Sequence, residues 1–455
     1  MRRLLLLALL AGCTTVGPDY ERPRIELPAD YPAPAGSGEA VPADWWKLYG
    51  DPMLDALVQA TRGNNADLRL AAARVREAEA VLRQARATAY PELLGGYAAT
   101  RNRVSERTIP ASAAPLEREQ HQLIASTSFE IDFWGRLARI GEAAQASLAA
   151  SRLSQDVAAL TLSSAAAQAY FALRSLDAQI KVLEDATRVR TDSLSIAEAR
   201  LAAGLASALD VHQAQGALSD ALVQRREAER QRALLERQLA QLTGRLDLRL
   251  APGDLFALPL PPTPPAGLPS ALLDRRPDVR AAEQTMVAAN ALIGEARAAL
   301  FPTISLTAAL GAQSAELSNL LSSGAGIWSL GAGLALPIFD AGRRSARVEQ
   351  AQAVREQALA IYVGTIETSF RETADALVSL EQATRAEAEL VERLRAARDA
   401  LALSDERYRS GYSPYLEVLD AQRTANEVEL AFVRNRQARL AFSVDLMKAL
   451  GGGWK

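Results

Sequence analysis

The sequence predicts a mainly α-helical chain that carries short amphipathic strands and is built from two similar halves. Three observations support this: an internal duplication, long stretches without Gly or Pro, and short segments where apolar and polar residues alternate. The segment Asp67–Arg74 returns at Asp278–Thr285, an offset of 211 residues, and Arg200–Gly204 returns at Arg407–Gly411, an offset of 207. A duplication that keeps its register over this distance indicates a structural unit used twice.

The N-terminus predicts export of the chain. Two arginines, an apolar run from Leu4 to Ala11 and a small residue before Cys13 follow one another, which is the order of a secretory signal peptide. The apolar run is much shorter than the ~20 residues that a membrane-spanning helix needs. We therefore expect residues 1–12 to be a signal peptide that is removed.

Cys13 is predicted to be a lipidation site. Leu10–Cys13 resembles the bacterial lipobox, in which the cysteine becomes the first residue and carries an N-acyl group, such as palmitate, and an S-diacylglycerol. Two or more acyl chains make a stable anchor, and Thr14 in place of aspartate favours the outer membrane. Because Cys13 is the only cysteine, no disulfide or thiol catalysis is expected. An unmodified cysteine in an ordinary signal peptide is the alternative.

Composition and motifs favour neither nucleic-acid binding nor catalysis. The 51 basic and 54 acidic residues nearly cancel, so no nucleic-acid partner is indicated. The chain has no P-loop, His-Glu-x-x-His or Gly-x-Ser-x-Gly motif. The two histidines, His121 and His212, are expected in surface or pore-lining positions. We predict no enzyme activity, no cofactor besides the lipid on Cys13 and no dedicated metal site.

Long helices are predicted where Gly and Pro are missing. Residues 142–203 contain neither, which corresponds to ~90 Å of helix, and residues 365–410 and 417–450 are likewise free of both. Leu173, Leu176, Ile180 and Leu183 follow coiled-coil spacing. This periodicity alone does not separate a solvent-exposed coiled coil from the wall of a pore.

Strands are predicted at about 92–103, 122–134, 303–313 and 327–338. Apolar and polar positions alternate over residues 123–133, 304–310 and 328–336, a pattern typical of outer-membrane barrel strands with one side toward lipid. A soluble hairpin on a core is the alternative reading. Because known membrane barrels begin at about eight strands, four strands per chain require an oligomer. A dimer gives eight and a trimer twelve, and the pattern does not choose between them.

Four motifs resemble one family. They are Phe129–Arg136, Arg275–Arg280, Leu336–Arg343 and Tyr415–Gln422, and they are similar to those of the TolC-like outer-membrane factors, in particular the lipoprotein branch serving RND-type multidrug efflux pumps. The resemblance implies a homotrimer with a twelve-stranded outer-membrane β-barrel continuous with a long periplasmic α-helical barrel, plus a mixed α/β equatorial domain.

The domain organisation expected from the repeat and the resemblance has six parts. They are a signal peptide (1–12), a lipidated tether and equatorial segment (13–60), repeat 1 (61–244, hairpin tip near 204), a Pro-rich equatorial connector (245–271), repeat 2 (272–451, tip near 411) and a short tail (452–455).

The function implied by the resemblance is that of an exit duct. It would conduct small molecules such as drugs passively from an inner-membrane pump and a periplasmic adaptor to the outside, anchored in outer-membrane lipid. Two alternatives remain at this point. One is a channel for protein secretion, and the other is an envelope-spanning structural lipoprotein without a pore.

The resemblance also assigns a periplasmic gate. Leu416 matches the apolar constriction and Asp420 the acidic ring one turn deeper, with Arg423 within pairing distance. Tyr408 and Asp210 match a pair that ties the two hairpins together. Three copies of Asp420 about an axis would offer a site for block by a divalent cation. Ser413 stands where some relatives carry an arginine.

The hairpin tips are also the expected docking surface for the adaptor. The candidate residues on the two hairpins are Leu201, Gly204, Leu205, Ser410, Gly411 and Tyr412.

Overall fold

The structure, a computed structural model, describes residues 15–26, 28, 41–105, 107, 116–264 and 272–453. The signal peptide and Cys13 lie outside the described residues, as do most of residues 27–40 and the last part of the connector. In the described part of the chain, no helix is both long and apolar enough to cross a membrane.

The prediction of a mainly helical chain with two strand pairs is confirmed. After a 3-10 helix at Trp45–Tyr49, the α-helices are α1 (Pro52–Asn64), α2 (Ala66–Ala87), α3 (Arg136–Ala202), α4 (Ala208–Leu242), α5 (Leu272–Arg275), α6 (Pro277–Ala298), α7 (Arg343–Arg409) and α8 (Tyr415–Ala449). The strands are β1 (Glu92–Arg103), β2 (Glu117–Ile131), β3 (Thr303–Ser314) and β4 (Gly326–Ala335).

Corresponding helices of the two halves have equal lengths. Helices α3 and α7 each contain 67 residues, α4 and α8 each contain 35, and α2 and α6 each contain 22. Both long helices begin before the predicted breaker-free stretches, because Gly141 and Gly364 lie inside them. One glycine costs a helix only about 1 kcal/mol, which the remaining turns of a long helix offset.

Three strand boundaries differ from the prediction by three residues or more. Strand β2 begins at Glu117 because residues 117–121 pair with β1 although they do not alternate in polarity. It ends at Ile131, since the Phe133 amide turns back and donates to the Ile131 carbonyl at 2.8 Å. Strand β4 ends at Ala335, two residues before Pro337, which lacks the N–H that a ladder requires.

The described residues form two compact units by their contacts. The sheet unit comprises described residues of 1–24, 75–151 and 282–362. The hairpin unit comprises described residues of 25–74, 152–281 and 363–455.

The sheet unit contains one antiparallel sheet in the order β1-β2-β3-β4. Ala125 lies opposite Gly95 and Leu310, and Leu310 lies opposite Trp328. Since directly opposed side chains share a face, one face is almost wholly apolar from Ile131 to Leu123. Its largest side chains are exposed in the single chain: Leu93, Leu310, Trp328, Leu330 and Leu334 are 69–79% accessible. The opposite face carries mainly small and polar residues, such as Ser126, Thr307, Ser329 and Gly331.

The expected tether is fastened over residues 16–22 rather than free, and we call these residues the strap. The Val16 amide donates to the Trp134 carbonyl at 3.0 Å, and the Pro18 carbonyl accepts from the Asn290 amide at 2.9 Å. The Glu283 carboxylate then accepts from both the Arg22 guanidinium and the Tyr20 hydroxyl, at 2.6–3.0 Å. The periodicity of apolar residues carries no information about contacts between distant segments. The sequence analysis therefore predicted a tether and missed these contacts.

The core of the hairpin unit gathers aromatic and aliphatic side chains around the 3-10 helix. Trp45, Tyr49, Phe171, Leu239 and Leu440 are at most 1% exposed. The Tyr49 hydroxyl shares a 2.7 Å hydrogen bond with Ser443. The Trp45-Trp46 end of the expected tether is therefore an integral part of this core.

A buried carboxylate holds the start of the inter-repeat connector. Asp177, whose side chain is 2% exposed, lies 2.6 Å from both Arg174 and Arg232. It also accepts the Gly253 amide at 3.0 Å, while Arg174 and Arg232 donate to the carbonyls of Ala251 and Leu250. One carboxylate and two guanidinium groups thus satisfy the backbone of an irregular segment.

Candidate functional site at the hairpin tips

Each helical hairpin turns on a glycine with positive φ. Gly204 (φ 75°) and Gly411 (φ 81°) follow the last residues of α3 and α7. The Leu205 amide returns to the Arg200 carbonyl, and the Tyr412 amide to the Arg407 carbonyl, at 2.8 and 2.9 Å. These are the bonds of a Schellman motif, in which a left-handed residue, usually glycine, ends the helix.

A small buried cluster joins the two hairpins of the chain near their tips. It consists of Ala197 and Ala214 from the first hairpin with Tyr408, Tyr415 and Val418 from the second. The two tyrosine rings lie 5.5 Å apart. Alanine on the first hairpin permits close approach of the aromatic rings of the second.

Tyr408 and Asp210 are brought together but do not form a hydrogen bond within one chain. Both line a hollow of about 330 Å³ that Arg200, Tyr412 and Ser413 also line. Burial raises the pKa of the Tyr408 hydroxyl above its ordinary value, Arg200 opposes this and Asp210 adds to it. The hydroxyl itself has no hydrogen-bond partner among the described residues.

Asp210 instead stabilises the start of its own helix. Its carboxylate accepts the Ser207 amide at 3.2 Å, and the Ser207 hydroxyl accepts the Asp210 amide at 3.4 Å. This reciprocal pair is a capping box, which satisfies amides that the first helical turn leaves free.

Leu416, Asp420 and Arg423 form an exposed stripe along α8. Their spacing of four and three residues places them on one helix face, and Leu416 is 59% exposed. Within the described part of the chain, the side chains of Asp420 and Arg423 form no hydrogen bond or ion pair. The stripe therefore has its polar and apolar groups free to meet another molecule or another copy of the chain.

The six docking candidates lie together on the turns and are accessible. Leu201, Leu205 and Tyr412 are 40%, 71% and 81% exposed, and Gly204, Ser410 and Gly411 are exposed as well. Ser413, in contrast, is buried, and its hydroxyl has no partner among the described residues.

Sequence reasoning missed two polar links between the hairpins. The Gln422 side-chain amide donates to the Ser193 hydroxyl at 2.9 Å in a buried position. Arg200 donates to the Tyr408 carbonyl at 2.6 Å. The repeat aligned Arg200 with Arg407, but this alignment could not show which of the two arginines crosses to the other hairpin.

The histidines do not both occupy the expected positions. His212 is exposed on α4, whereas His121 is 8% exposed and its Nδ1 lies 2.8 Å from the Tyr97 hydroxyl. The aromatic neighbour on the adjacent strand covers its ring. Among the described residues, no group of three or more His, Cys, Asp and Glu side chains is arranged to hold a metal ion.

An uncovered apolar sheet face and paired long hairpins are features typical of outer-membrane channel proteins. The family model of outer membrane efflux proteins matches residues 57–245 and 268–452. The chain belongs to the outer membrane efflux protein family.

Relatives match the chain over nearly its whole length. The solvent efflux pump outer membrane protein SrpC of Pseudomonas putida is 34% identical over 98% of this chain and 97% of its own. Outer membrane protein OprJ of Pseudomonas aeruginosa is 35% identical over 99% of this chain and 95% of its own.

Solved structures show the same fold. The outer-membrane channel OprN matches with a TM-score of 0.89 at 29% identity, covering 97% of this chain and 100% of that one. The open-state MtrE outer membrane channel of Neisseria gonorrhoeae matches with a TM-score of 0.87 at 30% identity, covering 97% and 99%.

Proposed function

We propose that the chain forms the outer-membrane exit duct of a tripartite efflux system. Three copies would close a twelve-stranded barrel, and their helical hairpins would form an α-helical barrel in the periplasm. The observation that carries this proposal is the uncovered apolar sheet face, because a monomeric soluble protein rarely exposes a large contiguous apolar patch. Lipid would cover this face, while the small and polar side chains opposite would line the lumen.

Small-molecule export is the cargo class that the relatives favour. Relatives of the chain in Pseudomonas putida are named as outer membrane proteins of a solvent efflux pump and an antibiotic efflux pump, which supports small-molecule export over protein secretion. An envelope-spanning structural lipoprotein would leave the apolar sheet face without a role. The partners are then an inner-membrane pump and a periplasmic adaptor, and transport through the duct is passive.

The gate is assigned to the stripe on α8 and the nearby tyrosine. Leu416 copies would close the aperture by excluding water, and Asp420 copies would favour cations and bind a divalent ion. Arg423 would pair with Asp420 of a neighbouring copy, because neither side chain has a partner within the described part of one chain. Tyr408 and Asp210 would hold the hairpins in the closed arrangement.

The exposed turns are assigned to the adaptor. Leu201, Gly204 and Leu205 of the first hairpin and Ser410, Gly411 and Tyr412 of the second offer apolar and small surfaces without a partner of their own. Both turns have a glycine with positive φ. We therefore expect adaptor binding to depend on the absence of a large side chain at these two positions.

The domain organisation expected from the repeat is proposed to hold in the mature protein, with Cys13 lipidated. Mass spectrometry of the purified N-terminal peptide would show the mass of an N-acyl, S-diacylglycerol cysteine. An unmodified N-terminal peptide would remove the lipid anchor from the proposal.

The channel itself is tested by planar-bilayer conductance of the full-length protein. We expect small, cation-selective currents that divalent cations block in the wild type, and larger, less blocked currents in Asp420→Ala. Glu429→Ala is the matched control, because it removes a carboxylate nine residues further along α8, on the opposite face of that helix. Equal currents in all three proteins would move the gate elsewhere, and no current in any of them would refute the channel.

A further inference from the structure

Arg200 reaches from the first hairpin into the end of the second. It lies in the last turn of α3, and its Nη1 donates to the Tyr408 carbonyl near the end of α7 at 2.6 Å. Its guanidinium also lies over the Tyr408 ring, 4.7 Å from the ring centroid. One side chain therefore contacts both the backbone and the ring of a single residue on the other hairpin.

The physical setting makes this contact favourable. The last carbonyls of a helix lack intrahelical partners and carry partial negative charge, so a cation there is stabilising. The Tyr408 carbonyl already accepts the Gly411 amide at 3.0 Å, and Arg200 occupies a second acceptor direction of that oxygen. A planar guanidinium can donate and stack at the same time, which an ammonium cannot.

The equivalent arginine of the second repeat behaves differently. Arg407, related to Arg200 by the 207-residue offset, lies 3.6 Å from Glu417 of its own hairpin, and both side chains are about half exposed. The two repeats therefore differ at this position. Only the first-repeat arginine of this pair links the two hairpins.

Two further contacts between the hairpins lie next to the Arg200 contact along α3. The buried Ser193–Gln422 hydrogen bond joins α3 to α8. Ala197, between these two links on α3, packs in the cluster with Tyr415 and Val418. Arg200 is thus the outermost of three successive contacts along α3, separated by four and three residues.

We propose that Arg200 is a latch: a positioning residue that holds the tip of the second hairpin against the first and thereby sets how readily the aperture opens. The proposal rests on the proposed channel function. Release of the Tyr408 carbonyl and ring would free the α7–α8 turn, which carries Leu416 and Asp420 just beyond it. The alignment of the stripe would then depend on a side chain that lies outside the stripe itself.

The latch is tested by single-channel recording of the mature protein in three variants. Arg200→Ala should raise the open fraction about tenfold, since a hydrogen bond to a charged group is worth a factor of roughly this size. Arg200→Lys should restore part of the closure, because an ammonium keeps the charge at the carbonyl and loses the planar stacking. Arg407→Ala, the repeat-equivalent control, should match the wild type.

Trimer electrophoresis and melting temperature accompany each recording. A latch changes gating with intact assembly, whereas a merely structural role would lower assembly or melting temperature without partial rescue by lysine. If Arg200→Ala does not assemble, Arg200→Gln replaces it in the recordings of gating, because glutamine removes the charge and the stacking but retains an amide donor.

The outcomes separate the latch from the channel. Wild-type-like gating of the assembled Arg200 variants, while Asp420→Ala still enlarges the current, overturns the latch alone. An equal rise in Arg407→Ala also overturns it, since the effect would then reflect general loss of positive charge at the tips. No current from the wild type or from Asp420→Ala overturns the channel and the latch together.

Discussion

Gly17 of the strap lies directly against Gly294 of α6. A Cβ built on Gly17 would stand 2.4 Å from the Gly294 Cα, and a Cβ on Gly294 would stand 2.9 Å from the Val16 carbonyl oxygen. Two glycines therefore let an extended segment run along a helix at backbone distance. This contact makes the strap part of the sheet unit.

Gly294→Ala is expected to displace the strap. The added methyl group meets the Val16 carbonyl and the Arg139 side chain, and overpacking of this kind costs about 1–3 kcal/mol. Limited proteolysis should cut the strap faster in this variant. Gly216→Ala is the control: nothing lies within 4 Å of its Cβ, so the same change in a helix should stabilise by about 1 kcal/mol. Equal protease resistance of Gly294→Ala and wild type would contradict the tight contact.

Asp177→Asn is expected to loosen the connector strongly. Removing one member of a buried ion cluster leaves uncompensated charge and costs about 3–5 kcal/mol. Asp185→Asn on the same helix breaks only an exposed pair with Arg188, worth about 0–1 kcal/mol. Melting temperatures of the two variants should differ accordingly, and similar values for both would show that the buried cluster is not important for stability.

Tyr170 is expected to make the hairpin unit sensitive to alkali. Burial, with a hydrogen bond to Asp51 as the next cause, raises the pKa of the Tyr170 hydroxyl to about 12. A tyrosine whose folded pKa is raised contributes stability below its ordinary pKa of about 10, and this contribution is lost as pH rises toward 12.

The measurement compares melting temperatures of wild type and Tyr170→Phe between pH 9 and pH 12. The phenylalanine variant loses the hydrogen bond at every pH but has no hydroxyl to ionise. The wild type should therefore lose more stability over this range than the variant, by an amount on the order of 3 kcal/mol. Parallel curves would show that Tyr170 does not titrate as a buried group.

Tyr408→Phe combined with Asp210→Ala is expected to raise pore conductance, because it removes the pair assigned to hold the hairpins. Asp210→Ala also breaks the capping box, which by itself costs about 0.5–2 kcal/mol. Ser207→Ala is therefore the matched control: it removes the cap and keeps the carboxylate. Conductance that rises as much in Ser207→Ala as in the double variant would assign the effect to the cap, and unchanged conductance in the double variant would remove the pair from the gate.

Gly411→Trp is expected to abolish export without loss of the assembled trimer, because a large side chain on the turn obstructs the adaptor contact. The residue has φ 81°, where a side chain adds about 1–2 kcal/mol of strain. Gly411→Asn controls for this strain, since asparagine tolerates the left-handed region, and it should retain export. Drug-susceptibility assays in cells carrying the cognate pump give the readout, and normal export with tryptophan would refute the contact.

Much of the secondary structure could be predicted because it depends on local pattern. The lack of Gly and Pro predicted α3 and α7 to within a few residues at their C-terminal ends, and alternation of apolar and polar residues predicted the presence of β2, β3 and β4. The start of β2 could not be predicted, because Glu117–Gln120 pair with β1 through backbone hydrogen bonds that do not depend on polarity. The stripe of Leu416, Asp420 and Arg423 was accessible to sequence reasoning only through a family resemblance.

The sequence by itself determined the duplicated helices, the amphipathic strands and the glycine turns, since each follows from residue spacing and backbone preference within a few turns of chain. Only the tertiary structure decided which partners the long charged side chains contact. Arg200 crosses to Tyr408 while its repeat-equivalent Arg407 stays with Glu417, and Glu283 binds the strap more than 260 residues away in sequence. Such contacts depend on which elements pack together, and no local pattern of residues encodes that choice.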